Sequence, residues 1–335
     1  MSLAFDLAYH DDPARLPAVA RRVEERGSVR GLFVAEAAHD PFVSLALATT
    51  STETLELGTS IALAFARSPM AMAYSAYDVH RLSGGRLVLG LGPQIKPHIV
   101  RRYSMPWSRP AERMREYVAA LRAIWHTWQS GDELDFQGEF YTHTLMPPLF
   151  NPGPLEGGPP AVWLAGVGPK MVETAGAVAD GFLSHPLLSR RYLTDVLLPQ
   201  LAAGRRSAQR PDHAVTICAM TMVVTGRTEA ALNEAITATK RQIGFYASTP
   251  AYKPVLEHHG WGDLHDEAHA LTRRGRWADL ADLVDDEMLR TFAVVGEPDQ
   301  VRAGLGERFT GLVDRVMLSM PYDADETLAL DVVPT

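Results

Sequence analysis

Histidine pairs, acidic neighbours and glycine-rich turns are the residues whose spacing in this chain invites a chemical reading. His265 and His269 stand four apart, as two metal-ligating histidines on one helix face would. Asp266 and Glu267 lie next, so the Glu is one place out of register for the general base of a His-Glu-x-x-His metalloprotease, and a surface helix is the better reading. His258-His259 reads the same way. His10 is followed by Asp11 but by no second His two residues on, which argues against a barrel zinc hydrolase. Gly90-x-Gly92 hints at a dinucleotide loop, yet Pro93 interrupts it and Ile95 stands where a third glycine belongs. There is no Gly-x-x-x-x-Gly-Lys-Ser/Thr and no Gly-x-Ser-x-Gly, so neither a P-loop nor a serine nucleophile elbow is present. The ends Gly90-Leu-Gly92-Pro93-Gln94 and Val224-Thr-Gly226 offer no close carboxylate pair for glycoside hydrolysis. The single cysteine, Cys218, lies within an apolar run and reads as buried and inert. A site without nucleophile, metal set or acid pair suits an enzyme whose cofactor carries the chemistry while the protein binds and orients.

The elements that would position such a site alternate in type. Strands are expected over 3–9, 31–36, 55–63, 86–91, 161–166, 180–184, 215–224 and 312–319, from short apolar runs bounded by turn residues. Helices are expected over 13–26, 41–52, 70–82, 169–178, 190–203, 228–246 and 298–309. The clearest helix follows Ser108, a candidate N-cap, with Pro110 in its first turn and Met114, Tyr117, Val118, Leu121, Ile124, Trp125 and Trp128 on one stripe. Repeated βα units imply a parallel sheet, and eight of them favour a closed (βα)8 TIM barrel over an open one. Such a barrel needs about 250 residues. The surplus falls into insertions at 129–160 and 247–295, long enough to be lids, and no linker divides the chain.

Composition narrows the class. With 335 residues, 46% hydrophobic and 21% charged, the chain can bury a full core. A net charge of −8 argues against nucleic-acid binding. No run of 18 apolar residues is present, and no basic and apolar leader precedes Asp6, so neither membrane insertion nor secretion is expected. One cysteine excludes an intrachain disulfide and fits a reducing cytoplasm.

A family likeness is carried by Leu57-Gly-Thr-Ser-Ile61, Arg67-Ser-Pro69, Ala73 and Leu82-Ser-Gly-Gly-Arg86-Leu-Val-Leu-Gly-Leu-Gly92. It continues in Phe136-Gln-Gly-Glu-Phe-Tyr141, Ala165-Gly-Val-Gly-Pro-Lys170 and Ala179-Asp-Gly181. Over nearly its whole length the chain resembles the bacterial luciferase-like superfamily, and within it the oxidoreductases that use the deazaflavin coenzyme F420. The resemblance implies a ring-shaped cofactor at the C-terminal mouth of the barrel and a non-prolyl cis peptide at Ser60–Ile61 behind it. It also implies that Gly92, Pro93 and Gln94 edge the ring, that Gly166, Val167 and Gly168 receive the cofactor phosphate with Lys170 adding charge, and that the protein forms a homo-oligomer, by default a dimer. The phosphate role has its own physical sense, since glycines just before a helix expose amides at a positive helix terminus.

The likeness has departures. Members acting on glucose 6-phosphate carry Asp-His after the second strand, where this chain reads Glu36-Ala37, and a Glu at the position of Ile95. Sugar-phosphate oxidation is therefore in doubt, and no proton-handling residue carries over. Glu36, His39 and His98 are the polar groups left near the mouth as candidates for catalytic contact. Each has a plainer reading: Glu36 as the partner of a neighbouring Arg, His39 as cap of the helix at Pro41, His98 as a solvated loop residue. The resulting expectation is hydride transfer between F420 and a small organic substrate. The alternatives are an FMN-dependent monooxygenase and a cofactor-free barrel with a binding or structural role.

Overall fold

A computed structural model describes residues 3–324 and 326–334. Its strands are β1 (Ala4–Tyr9), β2 (Gly31–Val34), β3 (Glu56–Thr59), β4 (Ala62–Leu63), β5 (Leu87–Gly92), the hairpin pair β6 (Phe136–Gln137) and β7 (Thr142–His143), then β8 (Ala161–Ala165), β9 (Gly181–Leu183), β10 (Thr216–Val224), β11 (Ala293–Val295) and β12 (Arg315–Ser319). Every pairing in the main sheet is parallel: β1 joins β2, β2 joins β3, β3 and β4 both join β5, and β8, β9, β10 and β12 follow until β12 closes on β1. This is the expected TIM barrel. All eight expected strands lie in its wall, the third divided into β3 and β4 at a cis Ser60–Ile61 peptide. The short β11 was not anticipated. It pairs with the upper half of β10 (Met222 with Ala293), above the stretch of β10 that pairs with β9.

Two layers of apolar packing hold the wall. Alternate residues point outward to the helices, and the outward set joins one large core. The inward set is a separate cluster of Phe33, Val88, Trp163, Leu183, Cys218 and Met317. Phe33 and Trp163 stack across the lumen with ring centroids 5.7 Å apart. The Arg315 guanidinium lies against both rings, 5.7 Å and 5.0 Å from their centroids, on the side toward the N-terminal ends of the strands. It is bound by both carboxylate oxygens of Asp6, one at 2.8 Å, and by Glu56 at 2.5 Å. Burial pushes the Asp6 carboxyl above its usual range even with that guanidinium beside it.

Glycines make this floor fit. A Cβ at Gly58 would sit 2.3 Å from the Phe33 ring, and one at Gly181 2.5 Å from the Trp163 ring. A Cβ at Gly31 would come within 2.9 Å of the Arg315 guanidinium. Large rings on β2 and β8 thus replace the side chains that β3 and β9 would otherwise contribute.

Several boundaries differ from expectation for local reasons. Ser108 does not cap the helix Pro110–Ser130; Arg109 occupies the N-cap in a left-handed conformation and its side chain does not cap the helix. His39 does not cap the helix Pro41–Thr49, because the Asp40 carboxylate accepts from Phe42 N–H at 2.8 Å and Val43 N–H at 3.3 Å. The expected helix 190–203 is broken by a π turn over Leu193–Leu197 and runs on to Ser207. The 129–160 insertion is a strap along the outer helices: Tyr74 bonds the carbonyl of Phe150 at 2.5 Å, Tyr77 that of Gly153 at 2.8 Å and Arg81 that of Pro152 at 2.9 Å. Its Phe136-Gln-Gly-Glu-Phe-Tyr141 motif forms a hairpin whose amides at 139, 140 and 141 converge on the Glu116 carboxylate. Gly138 is required there, since a Cβ would fall 2.1 Å from that carboxylate.

Removing one partner of a buried ion pair strands the other charge. Arg315→Ala should therefore destabilise the protein by about 3–5 kcal/mol in urea melts. Arg15→Ala, which breaks only the exposed pair with Asp11, should cost under about 1 kcal/mol. Equal losses for the two variants would remove the floor from its structural role.

Candidate active site

The C-terminal mouth is built on the divided third strand. Thr59 Oγ1 donates to the Gly90 carbonyl at 2.7 Å, drawing β3 onto β5 so closely that a Cβ at Gly90 would lie 2.0 Å from the Thr59 carbonyl oxygen. Beyond the cis bond the Ile61 side chain turns inward over β5. Its Cδ1 lies 2.1 Å from where a Cβ of Gly92 would be, so Gly92 exists as glycine to seat Ile61. Ser60 N–H donates to Val34 and Glu36 N–H to Ile61, so β2 holds the strand on both sides of the bend. Pro93 and Gln94 continue from Gly92 around the rim, with Gln94 in the left-handed region at φ 59° and its side chain accepting from Ile95 N–H at 3.0 Å. Ile61, seated on Gly92 beside the rim loop, gives this edge of the mouth an apolar wall.

Next along the barrel, β8 ends in Gly166-Val167-Gly168, and Gly168 is the N-cap of the helix Pro169–Val178. Among the described residues no acceptor of the chain takes the N–H of Val167, Gly168 or Lys170. Gly166 packs tightly on Met171, whose Cγ would lie 3.0 Å from an added Cβ, whereas a Cβ at Gly168 would meet nothing within 4 Å. Lys170 is exposed beside these amides. Free donors at a helix N-terminus with a cation nearby form a ready cradle for an anion.

The three polar candidates divide. The Glu36 side chain, only 6% exposed, accepts from Arg67 at 2.6 Å and from Leu63 N–H at 2.8 Å, so its oxygens clamp the residues after the bend. Arg67 reaches on to Asp40 at 2.6 Å. His39 is exposed on the loop after β2 and His98 at the start of a π turn over His98–Arg102, which Arg102 ties to that loop through the Ala37 carbonyl at 2.8 Å. The structure brings Glu36, Ser60, Ile61, Gly92, Pro93 and Gln94 to one edge of the mouth and Gly166, Val167, Gly168 and Lys170 beside it. It leaves His39 and His98 on the outer rim.

Two strands round the mouth stands a residue that motif reading passed over. Gly181, Leu183 and His185 share the inward parity of β9, and His185 follows directly at the strand's C-terminal end. Its ring stacks on Tyr252, with centroids 4.1 Å apart, and meets Tyr246 edge-on at 4.5 Å. Burial pushes its imidazole down to about 3. Tyr252 belongs to the 247–295 insertion, which is therefore docked over the β9 side of the mouth. His258 bonds Asp195 at 3.2 Å and His259 bonds Ser189 at 2.8 Å, both in the segment after β9. His265 and His269 each direct a ring nitrogen at the carbonyls ending the helix Glu229–Ala247, at 2.7 Å and 3.1 Å. All four are staples of the insertion, and no metal-binding cluster exists among the described residues.

A cavity of about 540 Å³ opens at the tops of β1 and β12, lined among others by His10, Asp11, Ser319, Met320 and Tyr322. Ser60, Gly92 and Gly166 are not part of its lining. Tyr322 bridges β12 to β10 through the backbone of Thr225, at 3.0 Å and 3.2 Å, and burial pushes its phenol up to about 12. No helix is long and apolar enough to cross a membrane among the described residues.

Residues 3–315 match the luciferase-like monooxygenase family. The chain belongs to that family. An uncharacterized protein of Mycobacterium tuberculosis is 53% identical over 293 residues, covering 88% of this chain and 86% of the relative. The 5,10-methylenetetrahydromethanopterin reductase of Methanopyrus kandleri is 25% identical over 346 residues, covering 99% of this chain and 96% of the enzyme. In structure, the coenzyme F420 dependent tetrahydromethanopterin reductase from Methanopyrus kandleri superposes with a TM-score of 0.82 at 20% identity, over 99% of this chain and 97% of that one. Within a luciferase-like barrel, His185 could have been found from the sequence by extending the inward parity of the sixth strand one pleat past its end. Tyr252 had no such signal, because its partner is 67 positions away in the chain.

The Glu36 clamp predicts that Glu36→Gln costs about 1.5–3 kcal/mol in chemical denaturation, the value of a hydrogen bond to a charged partner. A loss below about 0.5 kcal/mol would free this carboxylate for chemistry instead.

Proposed function

We propose that this protein is an F420-dependent oxidoreductase that moves a hydride between C5 of the deazaflavin and a small organic substrate. The observation that carries the reading is the pairing of an apolar wall, Ile61 on Gly92, with unclaimed amides at Val167, Gly168 and Lys170 one strand away. The donors suit a phosphate, the open space at Gly168 suits its close approach, and the apolar wall suits a planar ring. The M. kandleri reductases named above, to which this chain is similar in sequence and fold, support the same choice.

When bound, the deazaflavin supplies or accepts the hydride. The chain's own residues do the rest. Val167, Gly168 and Lys170 hold the phosphate, and Ile61 backs the ring. Gly92, Pro93 and Gln94 edge it, with Ser60 at the bend. Glu36 keeps that wall in place through Leu63 and Arg67. The docked 247–295 insertion screens the β9 side of the mouth from water, which strengthens polar contacts within it. His39 and His98, exposed on the rim, remain candidates for contact with an entering substrate.

A second reading, an FMN-dependent monooxygenase, is favoured by the family's own description, and the same amides suit an FMN phosphate. Fluorescence-quenching titrations with F420 and with FMN separate the two. The proposal expects F420 to bind, and Gly168→Val to weaken it at least about tenfold, or about 1.4 kcal/mol. The β-branched side chain fits the protein at 168 but fills the phosphate's approach, so its effect reports on ligand. Gly166→Val would also displace Met171 and is the less clean probe. Binding of FMN alone would favour the monooxygenase, and binding of neither would favour a cofactor-free barrel.

A further inference from the structure

We propose that His185 is the hydrogen-bond donor that orients the substrate, and that it selects substrates presenting a carbonyl oxygen. The inference rests on the F420 reading for the hydride and on the structure alone for the donor. Leu183, one pleat below His185, reaches past β8 to within 2.8 Å of where a Cβ of Gly90 would be. One pleat higher, Gly92 ends β5 and His185 follows just beyond the end of β9. By that parity the imidazole stands at the level of Ile61 and Gly92, two strands away around the mouth, where a substrate would lie if a ring rested on that wall.

The chain fixes which nitrogen does what. In the Ser184-His185-Pro186-Leu187 turn, Leu187 N–H donates to His185 Nδ1 at 3.1 Å. Nδ1 therefore carries the lone pair, and the proton of the neutral ring is on Nε2. Nε2 has no partner among the described residues and keeps some exposed surface. The groups packed on the ring are the phenols of Tyr246 and Tyr252, both themselves driven toward the neutral form by burial. No carboxylate faces the ring to favour its charged form. The result is a donor whose state does not change near neutral pH, matched to an acceptor atom of the ligand.

That character assigns a role in reduction. A bound reduced deazaflavin would supply the hydride for the carbonyl carbon, the C=O π pair would pass to oxygen, and a proton from water would complete the alcohol. His185 keeps its proton throughout and stabilises the growing negative charge on oxygen through Nε2–H. The reaction is carbonyl reduction coupled to oxidation of the reduced deazaflavin.

The test uses full-length protein labelled with 15N in histidine. Between about pH 5 and 8, long-range 1H–15N spectra should keep His185 in the Nε2–H neutral tautomer. Acetone, cyclohexanone and acetophenone are then titrated into F420-saturated protein, and at least one should shift the Nε2–H resonance, while methylenecyclohexane should not. His185→Phe should weaken that ketone at least about tenfold, and His185→Gln, which keeps a side-chain N–H, should retain it within about threefold, with F420 quenching unchanged in both. The proposal is overturned by a His185 that titrates in this range, by an Nδ1–H tautomer, by no shift with any of the ketones, or by ketone binding that survives His185→Phe. If wild-type protein fails to quench F420, the oxidoreductase reading fails on its own, and the tautomer together with the same ketones titrated into cofactor-free protein still judges the donor.

Discussion

The barrel stands on one buried arrangement: the Arg315 guanidinium pressed against the stacked rings of Phe33 and Trp163 and neutralised by Asp6 and Glu56. A barrel lumen must be filled, and here two rings and an ion pair fill it from strands on opposite sides. The rings are too large to share their layer with ordinary side chains, so Gly31, Gly58 and Gly181 face them. Those glycines bring neighbouring strands close above the floor. The next layer, Gly90 and Gly92 on β5, continues the same accommodation and leaves room for Thr59 and then Ile61 to lean across. The shape of the mouth is thus set from below.

On this base the mouth has two unlike halves. One half, from β2 to β8, is backbone: the bend after Ser60, the Gly92 rim and the amides at Val167 and Gly168. Side chains there serve the backbone, as Glu36 does in gripping Leu63 N–H and Arg67. The other half, from β9 to β1, is side chain: His185 between two tyrosines, Tyr322 bridging β12 to β10, and the cavity beside His10. A flat cofactor and a variable substrate make different demands, and such a division answers both. Backbone geometry can hold a constant ligand, while side chains and an insertion can adapt to a changing one.

The alternation of apolar runs and amphipathic stretches made the eight wall strands and most of the helices legible in the sequence, because parallel strands buried on both faces leave nearly continuous apolar runs. The family likeness added the cis peptide and the glycine loops. Ser108 looked like a cap because Ser commonly caps, but the chain enters that helix through a left-handed Arg109, which no propensity favours. β11 was hidden because three residues carry no period. His185 lay outside every motif, and its environment comes from Tyr252, far along the chain. Long-range packing of the insertion, which the sequence does not encode locally, turns it from a loop histidine into a fixed donor. The strap at 129–160 likewise resembles a lid in length alone; its carbonyls belong to Tyr74, Tyr77 and Arg81.

The most direct measurement is a crystal structure of the protein grown with F420. The account predicts the deazaflavin ring against Ile61 and Gly92, its phosphate on the amides of Val167, Gly168 and Lys170, and open space between the ring and His185 Nε2. A cofactor seated instead in the cavity between β1 and β12, or with its phosphate away from Gly168, would contradict it.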